Sequence, residues 1–199
     1  ELDALGGISG KLADMAGIRF RTLNESKGYA VQSTRIQIDK EKYPVFAEDE
    51  LNKISNITII KEKVTAISDI ESGFKITTHK KEWSSKKLII TVGTFLNGKM
   101  HTGNVQSVGG RVDTDSSESL SKFFNDIKTV SARFKTGTPA RLNINSINYE
   151  LLDEQKSDPN VGNFHCLNSY NSRNLEQVSC FLARTNSKTM SIIRDNKEK

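Results

Sequence analysis

A chain of 199 residues, 35% of them hydrophobic, can bury one core, or one and part of a second. No run approaches the roughly 18 apolar residues that span a bilayer, and the chain opens Glu1-Leu2-Asp3 with no leader and no initiator Met, as an interior piece of a longer protein would. Two cysteines, Cys166 and Cys180, are too few for a disulfide framework and fit a reducing compartment, while a formal charge of +5 admits a polyanionic partner without requiring one.

In chain order, Leu5, Ile8, Leu12, Met15 and Ala16 recur at helical spacing, which predicts an amphipathic helix over residues 2–16 ended by Gly17. Residues 18–23 alternate as a strand, and 24–28 form a polar turn. Residues 33–53 read as a helix with Ile36, Tyr43, Ala47 and Leu51 inward, kinked or interrupted by Pro44. A β-rich block follows: strands over 57–62, 64–67 and 74–78, with 81–83 as a further pairing segment, together suggest a small antiparallel meander. Residues 87–92 form an apolar run that predicts a buried strand ending at Gly93. Gly109-Gly110 reads as a turn. Leu120, Phe123, Phe124 and Ile127 give a helical stripe, with Asp115 and Glu118 spaced as a capping box. Residues 130–135 alternate as a strand, 150–175 read mostly as loop, 177–184 as a strand and 187–195 as a short helix.

The chemistry-bearing stretches are few. A glycine at the carboxyl end of a buried strand lets a bulky ligand approach, and in open α/β sheets nucleotides sit at that end. Gly93 therefore suggests a nucleotide-binding sheet, although no Gly-x-Gly-x-x-Gly fingerprint occurs in the chain. Gly93-Thr-Phe-Leu-Asn-Gly-Lys99 falls short of a P-loop, because Met100 stands where a magnesium-holding hydroxyl is needed. Ser116, Ser117 and Ser119 open a helix, where free amides attract a phosphate and hydroxyls also serve as ordinary caps. Lys135-Thr-Gly-Thr-Pro-Ala-Arg141 sets two cations around a tight turn that could present charge to a phosphate or simply end a strand. His79, His101 and His165 are scattered, and His165-Cys166 with Cys180 lacks zinc spacing, so no metal site is expected. Cys180 lies in an alternating stretch and reads as a structural thiol.

Taken in order, Leu2-Asp-Ala-Leu-Gly-Gly7, Leu23-Asn-Glu-Ser-Lys-Gly28, Leu88-Ile-Ile-Thr-Val-Gly-Thr-Phe-Leu-Asn-Gly-Lys99, Gly109-Gly-Arg111, Lys135-Thr-Gly-Thr-Pro-Ala-Arg141, and Cys180 followed by Arg184-Thr-Asn186 resemble one family from end to end. It is the tRNA uridine 5-carboxymethylaminomethyl modification enzyme (MnmG/GidA). The resemblance implies a mixed α/β fold. That fold is part of a glutathione-reductase-like FAD-binding fold, with a small antiparallel meander and an inserted loop-rich α/β subdomain. On that basis residues 1–115 are expected in the central FAD-binding domain and 116–199 in the inserted subdomain. It further implies FAD reduced by NADH, a folate one-carbon donor, a tRNA substrate modified at its wobble uridine, a GTPase partner, a homodimer at full length, and a cytoplasmic (or, in a eukaryote, mitochondrial) setting.

By the same resemblance Val64 holds the adenine end of FAD, Thr91, Gly93 and Thr94 form a second FAD-proximal strand end, and Ser117 makes a further FAD contact. Arg111, Lys135 and Arg141 match basic positions that face tRNA phosphate or flavin. Tyr29 departs from the family's proline after Ser-Lys-Gly, and Gln32 stands where a basic residue is frequent. Cys166 and Cys180 do not match the family's redox cysteines, so no catalytic residue is expected in these 199 residues, and the piece alone is expected to be inactive. Two alternatives stay open at this point: a non-catalytic basic RNA-binding module, and a related FAD- and folate-dependent tRNA methyltransferase.

Overall fold

The computed structural model describes residues 2–93, 95–110, 118–127, 132, 134, 136, 137, 139–167 and 175–197. Their regular elements are α1 (Ser9–Met15), β1 (Gly17–Leu23), β2 (Ser33–Ile38), α2 (Lys42–Asn52), β3 (Val64–Ile70), β4 (Gly73–Thr78), β5 (Glu82–Ser85), β6 (Lys99–Thr102), β7 (Val105–Val108), α3 (Glu118–Asp126), β8 (Asp153–Gln155), β9 (Cys180–Leu182) and α4 (Ser187–Asp195). The strands form four small antiparallel sheets, β1–β2, β3–β4–β5, β6–β7 and β8–β9. The chain is thus mixed α/β, as its sequence indicates, and divides into two compact units: Glu1–Thr58 with Pro139–Lys199, and Ile59–Thr138.

In the first unit, Leu12, Ala16, Phe20 and Val161 are buried. Alternation along β1 sends Phe20 into this core, while β2 pairs with one edge of the strand. The other edge is taken by later chain. Phe20 donates its backbone N–H to Ser157 Oγ at 2.9 Å. Asp158 N–H donates to the Phe20 carbonyl, and Val178 N–H to that of Ile18. Asp14, 1% exposed, accepts the backbone N–H groups of Phe164 and His165, each at 2.9 Å. In the second unit α3 packs on β3, with Leu120 and Phe123 buried and Phe123 edge-to-face with Phe124 at 5.8 Å.

The meander and α4 lie where the sequence puts them, and α4 carries a full capping box between Asn186 and Thr189. Several expectations are corrected. The first helix begins only at Ser9; residues 2–6 are a turn and Leu5 is 85% exposed, because the Gly6-Gly7 pair breaks the helical run. Residues 33–38 are strand β2 and not helix, since Thr34, Ile36 and Ile38 are β-branched at period two. Asp39 then starts α2 by accepting the N–H groups of Glu41 and Lys42 on Oδ1. Pro44 does not interrupt α2: it sits in the first turn, where no intrahelical N–H is needed. Residues 57–62 and 87–92 are not strands; no described strand pairs with them, and Ile89 is 88% exposed. A buried parallel strand owes its ladder to neighbours on both sides, which composition alone cannot supply. Residues 99–108, for which the sequence predicts no element, are the hairpin β6–β7, closed by the two-residue Gly103-Asn104 turn. The strand expected over 130–135 lies largely outside the described residues, as do the Asp115 and Ser116 positions at the start of α3.

Candidate functional site

Val64, the first residue of β3, pairs with Thr78 on β4 and lines a cleft of about 260 Å³ together with Ile60, Glu62, Ile76, Thr78 and Trp83. The walls are apolar. The rim is polar: Thr78 Oγ1 donates to Glu62 Oε2 at 2.6 Å. Trp83 Nε1 is buried with no hydrogen-bond partner among the described residues, and the Lys81 ammonium lies 3.7 Å from the Trp83 ring centroid. A flat heteroaromatic ring, apolar on its faces and polar at its edge, is the ligand chemistry this lining suits.

Gly93 has φ +60°, the left-handed region that L side chains resist, while an added Cβ would meet nothing closer than 3.8 Å. Glycine is needed there for backbone conformation and not for space. Thr91 is exposed beside it, and no hydrogen bond among the described residues joins this segment to Val64. No helix follows Gly93-to-Lys99; β6 does, which removes the P-loop geometry. Arg141 belongs to the other compact unit and is exposed, with no hydrogen bond or ion pair among the described residues. Thr94, Ser117, Arg111 and Lys135 lie outside the described residues.

Three arginines that sequence reading passed over converge in the first unit. Arg19, Arg21 and Arg35, with Thr22, Leu23, Asn24, Glu25, Ser26 and Gln155, line an open cleft of about 510 Å³. Arg19 is 7% exposed; its guanidinium donates to Gln37 Oε1 at 3.0 Å and Gln155 Oε1 at 2.5 Å. The rim loop is stapled by its own side chains: Asn24 Nδ2 donates to the Val31 carbonyl, and Gln32 Nε2 to those of Glu25 and Lys27. Alternation at positions 19 and 21 was the available signal. That alternation alone does not bring in Arg35, which the helix expected over 33–53 places elsewhere.

Asp3, His165 and Cys166 form the only group of three metal-type donors among the described residues, all their ligand atoms within 4.8 Å of one another. Asp3 Oδ1 is 2.6 Å from His165 Nδ1, and Oδ2 accepts the Cys166 N–H at 3.1 Å. The His165 hydrogen bond, followed by that of the Cys166 amide, holds the Asp3 pKa at about 2. The Cys166 thiol is pushed up by its hydrogen bond to the same carboxylate, which is the reverse of what a nucleophile needs. The arrangement works as a clasp between chain positions 162 residues apart. Cys180 is half-buried, its thiol donating to Gln37 Oε1 at 3.4 Å.

Comparison with known proteins covers the whole chain. The family model described as "Glucose inhibited division protein A" matches residues 1–199. The chain is 38% identical to the tRNA uridine 5-carboxymethylaminomethyl modification enzyme MnmG of Wolinella succinogenes, over 98% of this chain and 32% of the relative. It is 40% identical to the protein of that name from Campylobacter fetus, again over 98% and 32%. The solved structure of Aquifex aeolicus GidA superposes with a TM-score of 0.85 at 36% identity, covering 100% of this chain and 34% of that one. The chain spans about a third of the length of the curated relatives it matches.

Proposed function

The chain belongs to the glucose-inhibited division protein A (MnmG) family, and from that premise we propose that it forms about a third of an FAD-dependent enzyme that builds the 5-carboxymethylaminomethyl group on the wobble uridine of tRNA. The observation that carries this reading is the superposition of the entire chain on Aquifex aeolicus GidA at 36% identity, which extends through both compact units.

On this reading the Val64 cleft takes the adenine end of FAD. Its apolar walls suit the ring faces, and the partnerless Trp83 Nε1 and the Thr78–Glu62 rim offer polar groups to a ring edge. Thr91, Gly93, Thr94 and Ser117 complete the cofactor contacts. Arg111, Lys135 and Arg141 face tRNA phosphate or flavin. Bound FAD, reduced by NADH, supplies the redox chemistry for attaching a one-carbon unit drawn from a folate. The residues of this chain hold the cofactor and the tRNA and contribute no nucleophile. A GTPase partner, a homodimeric assembly and a cytoplasmic setting complete the proposal. Among the described residues no helix is long and apolar enough to cross a membrane. The names of the relatives favour this enzyme over a tRNA methyltransferase or a non-catalytic RNA-binding module.

The test is the flavin content of the purified full-length protein. The wild type is expected to show a bound-flavin absorption spectrum. Val64→Arg, which drives a charged side chain into the apolar cleft, is expected to lose most of it while keeping its circular dichroism. A colourless wild-type protein that takes up no added FAD overturns the cofactor assignment.

A further inference from the structure

The β1–β2 ladder sets Arg21 directly opposite Arg35. Directly opposed residues on antiparallel strands project from the same face with Cβ atoms about 5 Å apart, and like charges in that position repel. Arg19 lies two residues along the same strand, so its side chain shares that face, opposite Gln37. Three guanidiniums therefore crowd one side of a two-stranded ribbon, and Glu25 is the one carboxylate that lines the cleft with them.

Glu25 does little to relieve the crowding. Its Oε2 is 3.7 Å from Arg21 Nη2, and its side chain is 54% exposed, a solvated pair of small value. Arg35 has no hydrogen bond or ion pair among the described residues. Arg19 is held in place by Gln37 and Gln155. Arg35 is exposed at the cleft with no acceptor among the described residues, so this face lacks a counter-charge. The rim is not a floppy loop that could fold in to supply one, because Asn24 and Gln32 tie it to its own backbone.

We propose that the cleft between Arg19, Arg21 and Arg35 is a phosphate site, and that the phosphate it takes is a phosphodiester of the tRNA. The chemistry follows from the donors: planar guanidinium forks match the oxygens of a tetrahedral anion, and a bound anion cancels the Arg21–Arg35 repulsion. The open mouth suits a group carried on a long chain. Only the choice of tRNA as the source rests on the function proposed above; a phosphate-bearing small molecule would use the same donors.

The experiment measures binding of a fluorescent anticodon stem–loop to the full-length protein across a salt series, in wild type, Arg35→Gln and Lys188→Gln. Lys188 is an exposed cation on α4 that is not among the residues lining the cleft. Melting temperatures with and without inorganic pyrophosphate are recorded for each. Arg35→Gln is expected to weaken stem–loop binding about tenfold and to lower the salt slope by about one, while Lys188→Gln changes neither. Because the substitution removes a like-charge opposition, the melting temperature of the Arg35→Gln protein without ligand should hold or rise, which separates a binding role from a structural one. Pyrophosphate should raise the melting temperature of the wild type and not of Arg35→Gln. Unchanged stem–loop binding with a lost pyrophosphate shift moves the source to a small phosphate compound and overturns the tRNA assignment. Unchanged stem–loop binding with an unchanged pyrophosphate response overturns the site. If the wild type binds no stem–loop, the proposed function fails on its own account, and the pyrophosphate arm still decides the cleft.

Discussion

Gly73 occupies a position closed to every side chain. A Cβ there would lie 2.2 Å from the Ser85 carbonyl oxygen, and its φ is +143°. Gly73→Ala must bend the β3–β4 turn or push β5 away, so a loss of about 2 kcal/mol or more is expected in urea denaturation, with no change expected from Gly28→Ala, where space is open. Asp14 is a second fixed point. Removing its buried carboxylate in Asp14→Ala leaves the amides of Phe164 and His165 without their acceptor, at a cost of roughly 1–3 kcal/mol by the same measurement.

Carboxylates with lowered pKa values, Asp3 and Glu50 most strongly, make the fold acid-sensitive. Asp3 titrates at about 2 against 3.8 for a free side chain, through His165 and the Cys166 amide. Glu50 titrates at about 2 against 4.5, through Lys11 and then Lys53. Both folded values lie below the unfolded ones. Their stabilisation is therefore present above the unfolded values and is lost as pH falls through the folded ones. Melting temperature should drop between pH 4.5 and about 2, and that drop should shrink in Asp3→Asn and in Glu50→Gln. Asp3 and Asp14 cannot be singled out in the sequence, because their partners lie about 150 residues or more further along the chain.

At the scale of elements, what the chain writes locally could be read locally. The stripe of Leu120 and Phe123 marked α3, period-two alternation marked β4, and the helix expected over 187–195 is α4, whose cap at Asn186 the structure adds. The α4 cap gives a direct test. Asn186→Ala removes the bond from the Thr189 N–H at 3.0 Å and should cost about 1 kcal/mol, read as faster amide exchange over residues 187–195. β2 was lost because its six residues run into α2, and the helical period of the longer element was carried back across Asp39. The β6–β7 hairpin was missed although Gly103-Asn104 between two short runs was a turn signal in plain view. The arginine face followed from the same error: Arg35 meets Arg21 only once residues 33–38 are a strand in that register.

For the whole molecule, the two apolar runs at 57–62 and 87–92 are the most telling feature. Ile57, Ile59 and Ile60 are 39–42% exposed and Ile89 is 88% exposed, in a chain that spans about a third of its relatives. On the proposed function, the run at 87–92 becomes a strand of a larger sheet that the rest of a full-length family protein completes. In the full-length protein the amides of 88–92 should be protected from hydrogen exchange, and Ile89→Asp should destabilise it strongly; rapid exchange there would contradict this. The family, and through it the fold class, was legible from the order of the motifs, while the Arg21–Arg35 opposition needed a strand register that no local pattern encodes. The most direct test of the central claim is mass spectrometry of tRNA nucleosides from cells with and without the gene that carries this chain. The account predicts that the 5-carboxymethylaminomethyl group on wobble uridine disappears on deletion and returns with the full-length gene. Wobble uridines that keep that group in the deletion strain would contradict it.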